Sequence, residues 1–92
     1  MAKCKATAFT ASGQVVVGSE GVYHGFTVTV VTAVGAINIR KASVTGQIID
    51  VIPSATAAGS RFYFQDGITC ESGLFVEFNG GATGTVNVLY EA

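Results

Sequence analysis

Ninety-two residues are enough for one domain, and residues 1–92 are read as a single unit with no linker. Only 12% of them are charged while 49% are hydrophobic. Globular chains carry about 25% charged residues, so part of this surface is expected to be covered in an assembly. The net charge is −1 and no basic run exceeds two residues, which excludes a phosphate-binding patch and hence nucleic acid.

The start "MAKCKATAFT" lacks the apolar segment of a signal peptide, so synthesis in the cytosol is expected. No stretch approaches the ~18 apolar residues of a membrane helix, so no membrane partner is expected. Within "KCKATAF" the alternation sets Cys4, Ala6 and Ala8 against Lys3, Lys5 and Thr7. "GQVVVGSEG" is a short apolar run between glycines. In "VYHGFTVTVVT", Phe26, Val28 and Val30 face one way and Thr27 and Thr29 the other. "AVG" turns the chain into "AINIRK", with Ile37 and Ile39 on one face, and these two runs read as a hairpin. After the turn "SVTG", "QIIDVIP" follows, ended by Pro53, which cannot donate to a ladder. A loop of small residues leads to "RFYFQ", with Phe62 and Phe64 together. "QDG" reads as a turn, "ITCE" as a short extended piece and "SG" as a corner or bulge. "LFVEF" places Leu74, Val76 and Phe78 opposite Phe75 and Glu77. "NGGATG" reads as an Asn-Gly hairpin loop before the last strand, "TVNVLYE".

About eight short antiparallel strands at roughly 10-residue spacing, with no helical periodicity, give an all-β, β-sandwich or jelly-roll-like domain. The expected core is Phe26, Val28, Ile37, Ile39, Phe62, Phe64, Leu74, Val76, Phe78, Val86 and Val88. Cys4 and Cys70 are too few for a disulfide framework and are expected to be reduced and buried.

No catalytic constellation emerges, and an enzyme is not expected. His24 is the sole histidine, it starts a strand, and it is read as a satisfied or half-exposed side chain. No GxSxG elbow occurs. Asp66, Glu71 and Glu77 match no calcium loop, so neither a metal nor another cofactor is expected. The glycines of "NGGATG" precede a strand, whereas a phosphate loop precedes a helix.

Apolar residues on the outward parity need another explanation. Tyr63 opposes Phe62 and Phe64, Phe75 opposes Leu74, Val76 and Phe78, and Leu89 opposes Val86, Val88 and Tyr90. Tyr63, Phe75 and Leu89 are therefore the candidate protein-interface residues. A homo-oligomer is expected, with a trimer favoured.

The stretch "DGITCESGLFVEFNGGATGTVNVLYEA", with "GFTVTVVTAVGAINIRKASVTGQIIDVI" before it, resembles small all-β virion structural proteins of tailed bacteriophages. The resemblance covers roughly residues 22–92. It implies a virion protein assembled in the host cytoplasm, above all a capsid decoration (cement) protein bound to the major capsid protein. A fibre, tail or head–tail joining subunit is the alternative. It carries over no site residues. A carbohydrate-binding β-sandwich is the reading from another class, with Tyr23 and His24, or Tyr63 with Arg61 and Gln65, as its platforms.

Overall fold

The computed structural model describes residues 4–92 and is all-β. Eight strands form it: β1 Lys5–Phe9, β2 Gly13–Val17, β3 Gly21–Ala33, β4 Ile37–Lys41, β5 Ile48–Ile52, β6 Arg61–Cys70, β7 Gly73–Phe78 and β8 Thr83–Glu91. One 3₁₀ turn, Asn79–Gly81, is the only helical element among the described residues. The strands make two antiparallel four-stranded sheets, β1-β8-β3-β6 and β2-β7-β4-β5, hereafter the first and second sheet.

The pairings are nested. β4 pairs with β5, β3 with β6, β2 with β7 and β1 with β8. The chain therefore runs as one long two-stranded ribbon whose tip is the β4–β5 hairpin. Two further pairings, β3 with β8 and β4 with β7, roll that ribbon into the two sheets.

Alternation now has a direction. Inward positions of the first sheet supply Tyr23, Phe26, Val28, Cys70, Val86 and Val88; those of the second supply Val16, Ile37, Ile39, Ile52, Leu74 and Val76. Each has its apolar face against the other sheet, the arrangement that removes most apolar area from water. A polar bond crosses this core: the Tyr23 hydroxyl donates to Asp50 Oδ2 at 2.7 Å. Burial first, and the Asp50 carboxylate second, push the Tyr23 hydroxyl well above the usual phenol range, so it stays a donor.

Several expectations need correction. The runs ending at Ala33 and starting at Ile37 do not pair as a hairpin, because β3 lies in the first sheet and β4 in the second. The same holds across "NGGATG": β7 and β8 belong to different sheets, and Gly80 and Gly81 at positive φ (61° and 79°) carry the chain from one to the other. "QDG" is not a turn between strands but an outward excursion within β6. Tyr63 pairs with Gly25 and Ile68 with Tyr23, so three extra residues are accommodated on β6.

Phe62 has the inward parity expected of it, opposite Phe26, but is 53% exposed. β6 is an edge strand, and there the facing sheet no longer covers it. Phe64 and Phe78 pack on the core while only partly buried. Cys70 is a buried free thiol as expected, whereas Cys4 is exposed, because β1 turns Thr7 and Phe9 inward opposite Val88 and Val86.

The burial pattern sets unequal mutational costs. Ile39→Ala, at a site with no exposure, is expected to lower the unfolding free energy by about 2–5 kcal/mol. Phe62→Ala, half in water already, is expected to cost about 1 kcal/mol. Urea denaturation of both variants checks the ranking, and a larger loss at Phe62 would contradict it.

Candidate protein interface

The outer face of the first sheet can be read in transverse rows from the register. One row is Ala6, Leu89, Gly25 and Tyr63 on β1, β8, β3 and β6. The next is Ala8, Asn87, Thr27 and Arg61. On the other side lie Glu91, Val22 and Thr69 on β8, β3 and β6. Arg61 and Glu91 are the only residues of the Lys, Arg, Asp and Glu types in these rows. Tyr63 is 56% exposed, Ala6 and Ala8 are exposed, and Leu89 is half-buried.

A bulge in β3 builds this surface. Tyr23 and Phe26 both face the core, so one residue too many lies between them. His24 is displaced to the outer side and Gly25 follows at φ 137°. A Cβ on Gly25 would overlap the Phe62 carbonyl, so only glycine fits.

His24 is 3% exposed and fully engaged. Its ring stacks on Tyr63, with centroids 5.4 Å apart and planes 14° from parallel. Nδ1 lies 2.7 Å from the Phe64 carbonyl, which can only accept, so Nδ1 carries a hydrogen and donates. Nε2 lies 2.5 Å from Glu91 Oε1, within hydrogen-bond reach. Gly67, at φ 75°, leaves the room that the ring occupies; a Cβ there would overlap Val22 and crowd His24. The histidine thus joins β3, β6 and β8 and holds the Tyr63 ring in place.

The opposite face is polar at its centre. Asn38 Nδ2 and Arg40 Nε both donate to Glu77 Oε1 at 2.9 Å, and Arg40 Nη1 donates to the Gly46 carbonyl at 2.7 Å. The Asn38 hydrogen bond, followed by that from Arg40, holds the Glu77 carboxyl below the usual carboxylate range. Phe75 stands beside this network, opposite Gln14 and Arg40, with Ile48 and Val51 exposed on edge strand β5.

The three candidate interface residues therefore divide. Tyr63 and Leu89 flank Gly25 on one face, while Phe75 lies on the opposite side of the sandwich. Of the two carbohydrate platforms, Tyr23 has no exposure and cannot serve, so Tyr63 alone remains. His24, Gly25 and Gly67 were not seen as surface-building residues. The clue was the run "YHG", where a Gly inside an alternating strand signals a bulge.

An open hollow of about 270 Å³ beside Glu91 is lined by Glu20, Gly21, Val22, Glu91 and Ala92. Among the described residues no three His, Cys, Asp or Glu side chains converge as metal ligands would. Comparison with protein-family models, with curated proteins and with solved structures finds no match.

The lowered Glu77 carboxyl makes stability depend on pH with a definite sign. Its stabilising contribution is complete above the unfolded carboxylate range, about pH 4.3, and is lost as pH falls through the lower folded value. Arg40→Ala is expected to move the Glu77 titration upward, followed by carboxyl ¹³C NMR, and to shift acid unfolding to higher pH. An unchanged titration would show that the guanidinium does not act on this carboxyl.

Proposed function

We propose that the chain is a virion structural protein, a capsid decoration (cement) subunit that binds and stabilises a major coat-protein lattice. The observation that carries this reading is Phe62. An aromatic residue with inward parity stands 53% exposed at the open edge of the sandwich, its ring centroid 4.7 Å from that of half-buried Phe64 and the two planes tilted by 37°. A coat subunit that caps this edge completes the packing which the chain itself leaves unfinished. Full burial of such a side chain is worth about 1.5–3 kcal/mol before association costs.

The strand order supports the same reading. Nested pairing rolled into β1-β8-β3-β6 and β2-β7-β4-β5 supports a jelly-roll reading of the sandwich. That architecture serves viral capsid and lectin domains, an analogy of fold and not of site. The resemblance of residues 22–92 to phage virion proteins points the same way. A fibre, tail or head–tail joining subunit would use the same apolar contact.

Apolar contact does not weaken with salt, whereas exposed ion pairs are screened beyond about 8–10 Å. The protein is therefore expected to cosediment with particles and to remain bound in molar salt. Phe62→Asp is expected to fold, by circular dichroism, and to be lost from the particle fraction. Absence of the wild-type chain from purified particles would overturn the virion reading. Normal incorporation of Phe62→Asp would overturn the role of this edge.

A further inference from the structure

We propose that His24 and Glu91 form a proton-operated clasp. While the imidazole carries two hydrogens, β3 is tied through it to both β6 and β8; when one hydrogen leaves, Glu91 swings out and the tie to β8 opens. The proposal rests on the fold alone and does not depend on coat binding.

His24 has an acceptor at each ring nitrogen: the Phe64 carbonyl 2.7 Å from Nδ1 and Glu91 Oε1 2.5 Å from Nε2. A carbonyl and a carboxylate only accept, whereas a neutral imidazole has one hydrogen to give. Both bonds together need a second hydrogen. It resides on the imidazole, the stronger base of the pair by ordinary side-chain values. With one hydrogen only, a nitrogen lone pair is turned on an acceptor, and the ring is 3% exposed, so water cannot replace the lost bond while Glu91 stays.

The surroundings bring one counter-charge into contact. Among the described residues Glu91, from β8, alone pairs with the imidazole. From β6, the Tyr63 ring lies against it, a face that favours a cation, while Asp66 is exposed on the excursion and Arg61 stands two residues before Tyr63. On β3 itself, Tyr23 faces the core and bonds Asp50. From β1, Lys5 is opposite Tyr90, the residue before Glu91. Glu20, ahead of β3, shares the hollow with Glu91. Burial opposes the charge on the ring, and the bonded carboxylate offsets that cost.

The two partners differ in freedom. The His24 ring is held by Tyr63 on its face and crowded by the Gly67 backbone, which also closes on Val22. Glu91 is 30% exposed and borders the hollow of about 270 Å³, so its carboxylate can turn into water. The tie to β8 is therefore the one that yields, and Nδ1 keeps its hydrogen on Phe64. The sign follows: the clasp is closed on the acid side and open on the alkaline side. Protonation of Glu91 in stronger acid still leaves an oxygen that accepts from Nε2.

NMR of the ¹⁵N-labelled chain tests this, because His24 is the sole histidine and its ring nitrogens are read without ambiguity. A pH titration through the neutral range, where imidazoles change charge, is expected to show hydrogen on both nitrogens at the acid end and on Nδ1 alone at the alkaline end. The amides of Val22 and Glu91 are expected to shift along the same transition, and those of Ile52 and Leu74 in the second sheet to stay still. Glu91→Gln gives the ring a side-chain amide that can donate to bare Nε2. In this variant the ring is expected to lose its proton without the shift at Val22. If Glu91→Gln fails to fold, the wild-type titration decides. A ring with one bare nitrogen throughout the folded range, two hydrogens kept until the chain unfolds, loss of the Nδ1 hydrogen instead, or an unchanged Val22 shift in Glu91→Gln would overturn the clasp.

Discussion

Antiparallel pairing of strands that mirror each other about the β4–β5 tip sets almost everything else in this molecule. Once β4 pairs with β5, each earlier strand has a partner on the returning chain: β3 with β6, β2 with β7 and β1 with β8. Two sheets follow only if the chain passes from one to the other at nearly every link. Those links need backbone that most residues avoid. Val34 at φ 72°, and Gly80 and Gly81, carry it on one side of the domain. Gly35 passes so close to the Asn79 carbonyl that a Cβ would overlap it. The nested register then aims the alternation: Val28 opposite Val86 and Ile39 opposite Val76 are inward pairs because the sheets face each other.

The alternation itself was legible in the sequence. It correctly grouped Ile37 with Ile39, Leu74 with Val76, and Val86 with Val88, all of which have no exposure. It could not name the partner of a strand. Adjacent runs joined by a short polar turn look like hairpins, yet β3 and β4 separate, and so do β7 and β8. The decision is made by contacts distant in sequence, where Phe26 meets Val88 and Ile37 meets Phe78. Nor does alternation tell how far a face is covered. Phe62 and Val28 share inward parity, but one is over half exposed and the other wholly buried. Tyr23 was missed as core because a bulge lies between it and Phe26, and a bulge reverses parity without changing residue types.

That bulge connects the fold to the surface. Moving one residue out of the core in β3 brings His24 to the outer side, and an imidazole lying flat under a strand needs its nitrogens satisfied. The Phe64 carbonyl and the Glu91 carboxylate satisfy them, and the extra residues of β6 make the space. The candidate site was thus partly visible beforehand. Tyr63 and Leu89 could be placed outward by counting, but their adjacency across Gly25, and the separation of Phe75 onto the other face, depend on the sheet order.

A sandwich leaves four edges and two outer faces through which it can associate, and this chain treats them differently. Edge strands invite uncontrolled addition of further strands unless they are short or irregular. Here β1, β2 and β5 are five residues each, the ladder of β2 and that of β5 are broken by a register shift, and the longer β6 carries its outward excursion at residues 64–67. The ladders are therefore poor templates for open-ended growth. The outer face of the first sheet has another character: alanine, glycine and threonine stand in register there, Tyr63 and Leu89 flank Gly25, and Glu91 is engaged by His24. Irregular edges of this kind disfavour backbone pairing between copies and leave side-chain contact as the remaining route by which such a domain can associate.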